Sequence, residues 1–171
     1  MNASSSIVIH FGFTDSSLGV VAVARSAKGV CAILLADHRR DLLWDLRQQF
    51  PDAELVEDAA ELAPALARVV RFVESPAADI DLPLDVVGTE FQQLVWRALR
   101  KIPPGTTASY ADIARRINSP KSVRAVAQAC SANTLALAIP CHRVVRSDGA
   151  LSGFRWGVTR KRALLEREAA R

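Results

Sequence analysis

The stretch SYADIARRINSPKSVRAVAQACSA, Ser109 to Ala132, decides how the C-terminal half of the chain is organised. Ser109-Tyr110-Ala111-Asp112 fits a capping box, in which the serine hydroxyl accepts from a free backbone N–H and the acidic side chain reaches back. This box predicts a short helix that ends at Ile117. Ser119-Pro120 then predicts a second helix, with serine as the cap and proline at the first helical position. Two helices joined by a tight turn make a helix-turn-helix.

The second predicted helix, which runs to about Ala132, carries a stripe of very small side chains. Their spacing is i, i+3, i+7 and i+10, and they are Ser122, Ala125, Ala129 and Ala132. A separate apolar face is formed by Val123, Val126 and Cys130. A small-residue stripe lets the helix backbone approach another surface closely. It suits either tight packing on another helix or entry into a narrow groove of DNA, with Arg124 as the one long probe.

Charge is divided unequally along the 171 residues. Residues 1–96 hold 7 basic and 14 acidic side chains, a net charge of −7, whereas residues 97–171 hold 15 basic and 4 acidic ones, a net charge of +11. A basic segment is typical of a nucleic-acid-binding surface, although a solvated basic face has the same composition. The predicted helix-turn-helix lies entirely in the basic part.

The N-terminal part is predicted to be a scaffold. Three short apolar and β-branched runs predict a small antiparallel meander, and they are Ser6 to Phe13, Leu18 to Ala24 and Gly29 to Leu35. Helical spacing of apolar residues predicts helices over Arg39 to Phe50 and Ala59 to Val73. Pro64 lies near the start of the second of these, in an early turn or at a kink. The connector Asp79 to Val87 has room for an edge strand.

These patterns predict an α+β fold with two domains. Residues 1–87 form an α/β domain around the small sheet, and residues 88–171 form a mainly helical domain. The helical domain begins with a helix over Thr89 to Lys101, which is stopped by Pro103-Pro104-Gly105. Asp148-Gly149, between two apolar pairs, predicts a hairpin turn later in the same domain.

Chemistry is concentrated in Ile139-Pro140-Cys141-His142-Arg143-Val144-Val145. A thiol is a strong nucleophile only as the thiolate, and a neighbouring imidazole is a standard means of removing its proton. Because adjacent residues of an extended chain point in opposite directions, Cys141 and His142 need a bridging water. An imidazole base also needs an orienting partner. Glu168 lies on the apolar face of a predicted helix, Thr159 to Ala169, where a carboxylate is costly unless paired.

The alternative for this segment is a chance Cys-His pair with Glu168 in solvent at the end of the chain. A resemblance decides against it. The sequence resembles the O6-alkylguanine-DNA alkyltransferases, in particular the C-terminal module of the bacterial Ada-type proteins. The motifs that carry the resemblance are Arg124-Ala125-Val126, Asn133, Pro140-Cys141-His142-Arg143-Val144 and Ser152-Gly153-Phe154-Arg155-Trp156-Gly157. Looser agreement over Gly29 to Leu35 and Leu82 to Asp85 extends it over nearly the whole chain.

The resemblance implies an RNase H-like N-terminal sheet, a winged-helix-like C-terminal part and a single-turnover DNA repair reaction. DNA is held through its minor groove, the alkylated guanine is rotated out, and Cys141 takes the alkyl group from O6 irreversibly. O4-alkylthymine is a second substrate that the resemblance allows. In this comparison His142, through water, and Glu168 deprotonate the thiol. Asn133 braces the active-site turn, and Tyr110 helps rotate the nucleotide and donates to the guanine ring.

The resemblance also implies which residues contact DNA and line the alkyl pocket. Arg124 matches the arginine that fills the space left by the flipped base. The implied DNA contacts are Arg124, Tyr110, Ser119, Lys121, Ser122, Ala125, Gln128, Ser131 and Ser147. The implied pocket residues are Val144, Phe154, Arg155 and Trp156. The backbone carbonyls of Cys141 and Val144 accept from the guanine amino group, and the backbone N–H of Arg155 donates towards O6. Phe154 departs from the family, in which many members have tyrosine.

No cofactor and no metal are expected. Cys31, His10 and His38 are the only candidate zinc ligands of the N-terminal part, and they lack Cys-x-x-Cys spacing. Cys31 and Cys130 are interpreted as small buried residues, and Trp44, Trp96 and Trp156 as packing residues. Three cysteines without a disulfide pattern favour a reducing compartment, so the expected setting is the bacterial cytoplasm and the expected state a monomer.

Three other functions fit parts of the sequence. A protein that binds alkylated DNA without repairing it would lack the nucleophile, and Cys141 is present. A winged-helix transcription regulator would explain the basic half but would leave Cys141, His142 and Glu168 without a purpose. A cysteine hydrolase would leave the helix-turn-helix unexplained.

Overall fold

The computed structural model describes residues 6–76, 80–151 and 153–170. Asp79 of the predicted connector and Ser152 of the predicted active-site motif lie outside these residues. The strands are β1 Val8–Ser16, β2 Gly19–Arg25, β3 Val30–Ala36, β4 Glu54–Glu57, β5 Ala108–Ser109 and β6 Val144–Val145. The helices are α1 Arg39–Gln49, α2 Ala59–Glu74, α3 Glu90–Leu99, α4 Tyr110–Arg116, α5 Val123–Ser131 and α6 Val158–Ala169. A 3₁₀ turn covers Cys141–Arg143.

The α+β fold class predicted from the sequence is confirmed, with the N-terminal sheet in the order β3-β2-β1-β4. Strands β1, β2 and β3 form the predicted antiparallel meander. Strand β4 was not predicted, because its four residues Glu54–Glu57 carry two charges and only two half-buried apolar side chains. It runs parallel to β1, with Ile9 opposite Leu55. Because α2 packs on β1 and β2 and α1 packs on β3 and β2, most of β2 and β3 is buried, and this sheet forms the core of the N-terminal part.

The free edge of β3 supports the segment that leads to Cys141. The Ile33 N–H donates to the Thr134 carbonyl at 2.9 Å, and the Ala136 N–H donates to the Ile33 carbonyl at 3.0 Å. The Thr134 hydroxyl also donates to the Cys31 carbonyl at 3.2 Å. These bonds satisfy backbone groups that an uncovered edge strand would leave free. The N-terminal sheet therefore fixes the position of the chain immediately before the active-site turn.

Helices α3, α4 and α5 pack together as a helical unit that contains the helix-turn-helix. Helix α3 begins with a capping box of Thr89 and Gln92, and α4 begins with the predicted box of Ser109 and Asp112. The buried indole of Trp96 on α3 donates to the Ala129 carbonyl on α5 at 2.9 Å. This hydrogen bond joins the first helix of the domain to the second helix of the helix-turn-helix.

The start of the second helix was predicted wrongly. Helix α5 begins at Val123, three residues after Pro120, and Ser119 caps no helix. Asn118 adopts a left-handed conformation, with φ of 59°, and the Ser122 N–H donates back to the Ser119 carbonyl at 2.9 Å. Pro120 and Lys121 are therefore used to complete the turn. Sequence propensity locates a proline near a helix start but does not fix which turn precedes it.

The small-residue stripe of α5 is divided between the core and the surface. Ala129 is buried beneath Trp96, while Ala125 and Ser122 are half-buried. Val123 was expected on the apolar face and is instead 38% exposed. In the N-terminal part of α5, Val123, Arg124 and Gln128 are exposed, whereas Val126 is buried.

Two other local predictions were only partly right. A turn does form at Asp148-Gly149, since the Arg146 N–H donates to the Ala150 carbonyl at 3.1 Å. Residues Ala150-Leu151 form no strand, however, and β6 pairs in parallel with β5 instead of forming a hairpin. In the described part of the connector, residues 80–87, the strand contact is a single bridge between Leu84 and Val30. Pro64 lies inside α2, where its ring removes one backbone donor.

None of the helices within the described residues has the length and the apolar composition that crossing a membrane requires.

The Trp96 hydrogen bond predicts a stability effect. Trp96→Phe leaves the buried Ala129 carbonyl without its donor, which is expected to lower the free energy of unfolding by about 2 kcal/mol. Urea unfolding followed by circular dichroism measures this change. Trp44→Phe is the matched control, because Trp44 is 64% exposed. The interpretation of Trp44 as a packing residue was therefore wrong. Equal stability of the two variants would contradict the prediction.

Candidate active site

Cys141 lies at the start of the 3₁₀ turn, in the middle of a buried segment that runs from Leu135 to Val145. The residue is 5% exposed, and its Sγ accepts a hydrogen bond from Asn133 Nδ2 at 3.3 Å. Burial raises the pKa of the thiol to about 11, although the Asn133 hydrogen bond and the nearby Lys161 and Arg155 act in the opposite direction. At neutral pH the side chain is therefore a thiol, and its use as a nucleophile requires a group that takes the proton.

Asn133 braces the loop that carries Cys141. Its Nδ2 donates to the Ile139 carbonyl at 3.0 Å, and its Oδ1 accepts from the Leu135 N–H at 2.9 Å. Leu137 adopts a left-handed conformation with φ of 72°, which is uncommon for a residue other than glycine. The amide of Asn133 thus holds both sides of a strained turn and touches the thiol as well.

His142 and Glu168 form the buried pair predicted from the sequence pattern. His142 Nε2 lies 2.8 Å from Glu168 Oε1, and neither side chain is exposed. Burial lowers the pKa of His142 below its ordinary value, although the Glu168 contact acts to raise it. Because an ionised carboxylate only accepts, Nε2 carries the imidazole proton and Nδ1 is left as a basic lone pair. Among the described residues, Nδ1 has no hydrogen-bond partner.

Arg143 is a site residue that the sequence did not single out. Its Nε donates to both Glu168 oxygens at 3.1 and 3.0 Å, and its Nη2 donates to Oε1 at 2.8 Å. Its Nη1 donates to the Ile102 carbonyl at 2.8 Å, so the guanidinium also reaches the segment after α3. The residue is 2% exposed. Burial alone would raise the pKa of Glu168, but hydrogen bonds from His142 and Arg143 outweigh it and lower that pKa to about 2.

A sequence signal for a further buried cation did exist on α6. Lys161, Leu164 and Glu168 are spaced i, i+3 and i+7, and all three are buried. The same spacing that placed Glu168 on the inner face of α6 also places Lys161 there. A lysine is usually solvated, so the pattern alone did not indicate that it is enclosed.

The predicted pocket residues lie next to this turn. Val144 is fully buried, and the Phe154 and Trp156 rings pack edge to face with their centroids 5.2 Å apart. The Arg155 guanidinium lies 5.7 Å from the Trp156 ring centroid and pairs with Asp45 of α1 at 2.9 Å. The Arg155 side chain is therefore committed to holding the loop against the N-terminal part.

The predicted DNA contacts surround the exposed first turn of α5. A surface depression brings Tyr110, Val123 and Ser147 together, with Arg146 and Asp148. Within the predicted set, Lys121, Arg124, Gln128, Ser131 and Ser147 are exposed, while Tyr110, Ser119, Ser122 and Ala125 are half-buried. The Ser119 and Ser122 hydroxyls lie 2.5 Å apart and bond to each other.

One group of potential metal ligands occurs in the described part of the chain, and it lies outside this site. His10 Nδ1 is 3.1 Å from Asp58 Oδ2 and 3.3 Å from Glu61 Oε2. Arg25 pairs with Glu61 at 3.2 Å, and Asp58 caps α2. These groups satisfy one another. Cys31 is not part of this group, and burial raises the pKa of its thiol to about 12.

A buried Cys, His and Glu set behind a helix-turn-helix is the arrangement of a cysteine-dependent DNA-modifying protein. Comparisons with known proteins give the same class. Residues 90–170 match the model of the 6-O-methylguanine DNA methyltransferase DNA-binding domain. The chain is 47% identical over 168 residues to the bifunctional transcriptional activator/DNA repair enzyme Ada of Escherichia coli, covering 98% of this chain. It spans about half, 48%, of the length of that relative.

Other relatives match along most of their length. The methylated-DNA–protein-cysteine methyltransferase of Mycobacterium tuberculosis is 42% identical, over 96% of this chain and 94% of the relative. The inducible one of Bacillus subtilis is 43% identical, over 85% and 82%. The crystal structure of Mycobacterium tuberculosis OGT in complex with DNA superposes with a TM-score of 0.81 at 32% identity, over 94% of this chain and 93% of that one. The chain belongs to the family of methylated-DNA–protein-cysteine methyltransferases.

The buried ion pair predicts an effect of pH on stability. At pH 7, Glu168→Gln leaves the Arg143 guanidinium uncompensated and is expected to lower the free energy of unfolding by about 3 kcal/mol. The pKa of Glu168 is depressed from 4.5 to about 2, so its contribution is complete above about pH 4.5 and is lost as pH falls towards 2. Urea unfolding at pH 7, 5 and 3.5 should therefore show the difference from wild type narrowing on acidification.

Glu166→Gln is the control on the same helix, because Glu166 is exposed. A Glu168→Gln deficit that stays constant from pH 7 to 3.5 would show that the carboxylate charge is not what stabilises this site.

Proposed function

We propose that this chain repairs O6-alkylguanine in double-stranded DNA by transferring the alkyl group to its own Cys141, once per molecule. The observation that carries the proposal is a nearly enclosed thiol next to a His142–Glu168 pair whose free imidazole nitrogen is basic. Family membership supports the same activity, that of a methylated-DNA–[protein]-cysteine S-methyltransferase. A thioether at Cys141 is stable. The residues next to the thiol, Asn133 and His142, are not nucleophiles placed to cleave it, so the reaction stops after one transfer.

Damaged DNA is proposed to bind on the exposed face of α5, through the minor groove. The target oxygen lies inside the duplex, so the nucleotide must rotate out, and a damaged pair costs less to open. Arg124 is the longest cation on the exposed first turn of α5 and is proposed to occupy the vacated space. Half-buried Ser122 and Ala125 are small enough for the helix to approach the groove closely, while Lys121, Gln128, Ser131 and Ser147 contact the backbone around it.

Alkyl transfer is proposed to proceed by a single displacement. The Cys141 S–H bond breaks as His142 takes the proton through water, and Glu168 holds the imidazole in the required tautomer. The thiolate then forms a bond to the alkyl carbon while the carbon–O6 bond breaks. The electron pair of the carbon–O6 bond passes to the guanine ring, to which the Tyr110 hydroxyl donates a hydrogen bond, and the proton that left Cys141 ends on guanine. The Cys141 and Val144 carbonyls and the Arg155 N–H orient the base, and Phe154 and Trp156 form the pocket wall.

The division into an acidic scaffold of residues 1–87 and a DNA-binding and catalytic domain of residues 88–171 belongs to the same proposal. The charge distribution supports it, since the cations that face DNA lie in the second part. We place the protein in the bacterial cytoplasm as a monomer, a setting in which three unpaired cysteines stay reduced. The reaction as written uses the thiol and the DNA and needs no cofactor.

The activity is tested by weighing the protein after incubation with a duplex that contains O6-methylguanine. One methyl group replaces one hydrogen, so the Cys141 peptide should gain about 14 Da, with at most one group per molecule. Cys141→Ala should bind the duplex and leave the lesion intact. Repeated turnover, or a repaired lesion with unmodified Cys141, would contradict the proposal. Binding without any transfer would instead indicate the non-repairing alternative. A duplex with O4-methylthymine, run in parallel, tests the second substrate.

Arg124 is tested separately because it acts on the nucleotide and not on the thiol. Arg124→Ala is expected to slow methyl transfer from duplex DNA by roughly tenfold to a hundredfold, since the cost of unstacking is no longer offset. Transfer from the free base O6-benzylguanine needs no rotation and should keep its wild-type rate. Arg40→Ala, an exposed arginine on α1, is the matched control. An equal loss of rate with both substrates would contradict the prediction, because it would mean that Arg124 acts on the transfer step or on the stability of the fold.

A further inference from the structure

Lys161 is a buried cation for which the reaction above gives no role. It is 0% exposed, and its Nζ has no hydrogen-bond partner among the residues that the structure describes. Lysine is almost never fully buried unless it is paired. The inner face of α6 therefore carries an acid, Glu168, with several hydrogen-bond partners and a base, Lys161, with no such partner in the described part of the chain.

An aromatic ring lies near Lys161 Nζ, and two buried thiols are close enough to interact with its charge. Nζ lies 6.0 Å from the centroid of the Phe154 ring, which packs on Trp156. Burial lowers the pKa of Lys161, and negative charge on Cys141 or Cys130 would raise it. Reciprocally, Lys161 lowers the pKa of both thiols. Lys161 is thus electrostatically coupled to the proposed nucleophile.

The other ionisable groups around Cys141 are either paired with an opposite charge or neutral. The Arg143 guanidinium is matched by the Glu168 carboxylate through three hydrogen bonds, and His142 is neutral. The Arg155 guanidinium is paired with Asp45 at 2.9 Å. When the Cys141 thiol and the Lys161 amine are both neutral, the buried site carries no net charge. A thiolate adds one negative charge, and within the described residues around Cys141 Lys161 is the cation left to balance it.

We propose that Lys161 is the counter-ion of the Cys141 thiolate, a positioning residue that sets the protonation state of the nucleophile. The S–H bond of Cys141 breaks, His142 Nδ1 carries the proton, and an N–H bond forms at Lys161 Nζ. Thiolate and ammonium then coexist, and the net charge of the site is unchanged. After transfer the sulfur is a neutral thioether, the ammonium loses its partner, and its proton is available to the purine anion. The inference rests on Cys141 being the nucleophile.

The first test measures the thiol without DNA. The rate at which iodoacetamide modifies the Cys141 peptide is followed against pH in wild type and in Lys161→Met, which keeps the side-chain length and removes the charge. The pKa of the thiol is expected to rise by at least about one unit in the variant, so the rate at pH 7 falls about tenfold or more. Lys101→Met, in which an exposed lysine is replaced, should keep the wild-type profile. An unchanged profile in Lys161→Met overturns the proposal.

The second test approaches the pair from the lysine side and needs no substitution of Lys161. The pKa of Lys161 Nζ is measured by ¹⁵N NMR titration in wild type and in Cys141→Ala. Removing the thiol is expected to lower the pKa of Lys161, because the coupling is reciprocal. Cys130→Ala gives the contribution of the other thiol and is expected to have the smaller effect. An identical lysine titration in wild type and Cys141→Ala overturns the proposal even if Lys161→Met fails to fold.

The two tests separate this inference from the proposed function. Coupled titration of Cys141 and Lys161 in a protein that does not demethylate a duplex would refute the repair activity and leave the ion pair established. Transfer of the methyl group in a protein without that coupling would establish the repair activity and refute the ion pair.

Discussion

The carboxylate of Glu168 is the point on which the active site depends. It is enclosed on every side, and it accepts from His142 and from two nitrogens of Arg143. Breaking such a pair leaves an uncompensated buried charge, so the three side chains hold one another in a single arrangement. Through Arg143 the same cluster reaches the Ile102 carbonyl beyond α3. One carboxylate on α6 thus fixes the 3₁₀ turn, the tautomer of the imidazole and the approach of α6 to the helical unit.

The N-terminal part contributes to the site by mechanical support. The edge of β3 holds residues 134–136, and Asn133 holds the two sides of the turn that follows. Two acidic residues near α1 anchor arginines from the opposite end of the chain, since Asp45 pairs with Arg155 and Asp37 with Arg160. The charge division of the sequence therefore has a second meaning. Acidic residues of the scaffold neutralise some cations of the C-terminal part. The cations on the exposed turn of α5 have no such partner among the ion pairs of the described residues and are proposed to face DNA.

Local signals in the sequence predicted local structure well. The capping box at α4 and the antiparallel meander follow from hydrogen-bond chemistry and residue period, which act over a few residues. Errors arose where the local pattern allows more than one turn and where packing decides pairing or exposure. Helix α5 begins at Val123 because the left-handed Asn118 and the Ser119 turn come first. Ala150-Leu151 form no strand, and β6 pairs with β5 instead. Trp44 is exposed because helix α1 turns it away from the core.

By itself, the sequence determined the fold class and the helix-turn-helix, and it singled out Cys141, His142 and Glu168 as the proposed reactive set. Spacing fixes which residues share a face of a helix, and residue type fixes which chemistry they can perform. Only the tertiary structure decided that Arg143 neutralises Glu168 and that Lys161 is buried within electrostatic reach of two thiols. Whether a charged side chain is solvated or buried depends on residues far away in the chain. Its pairing, and with it the charge balance of the site, is therefore a property of the packed molecule.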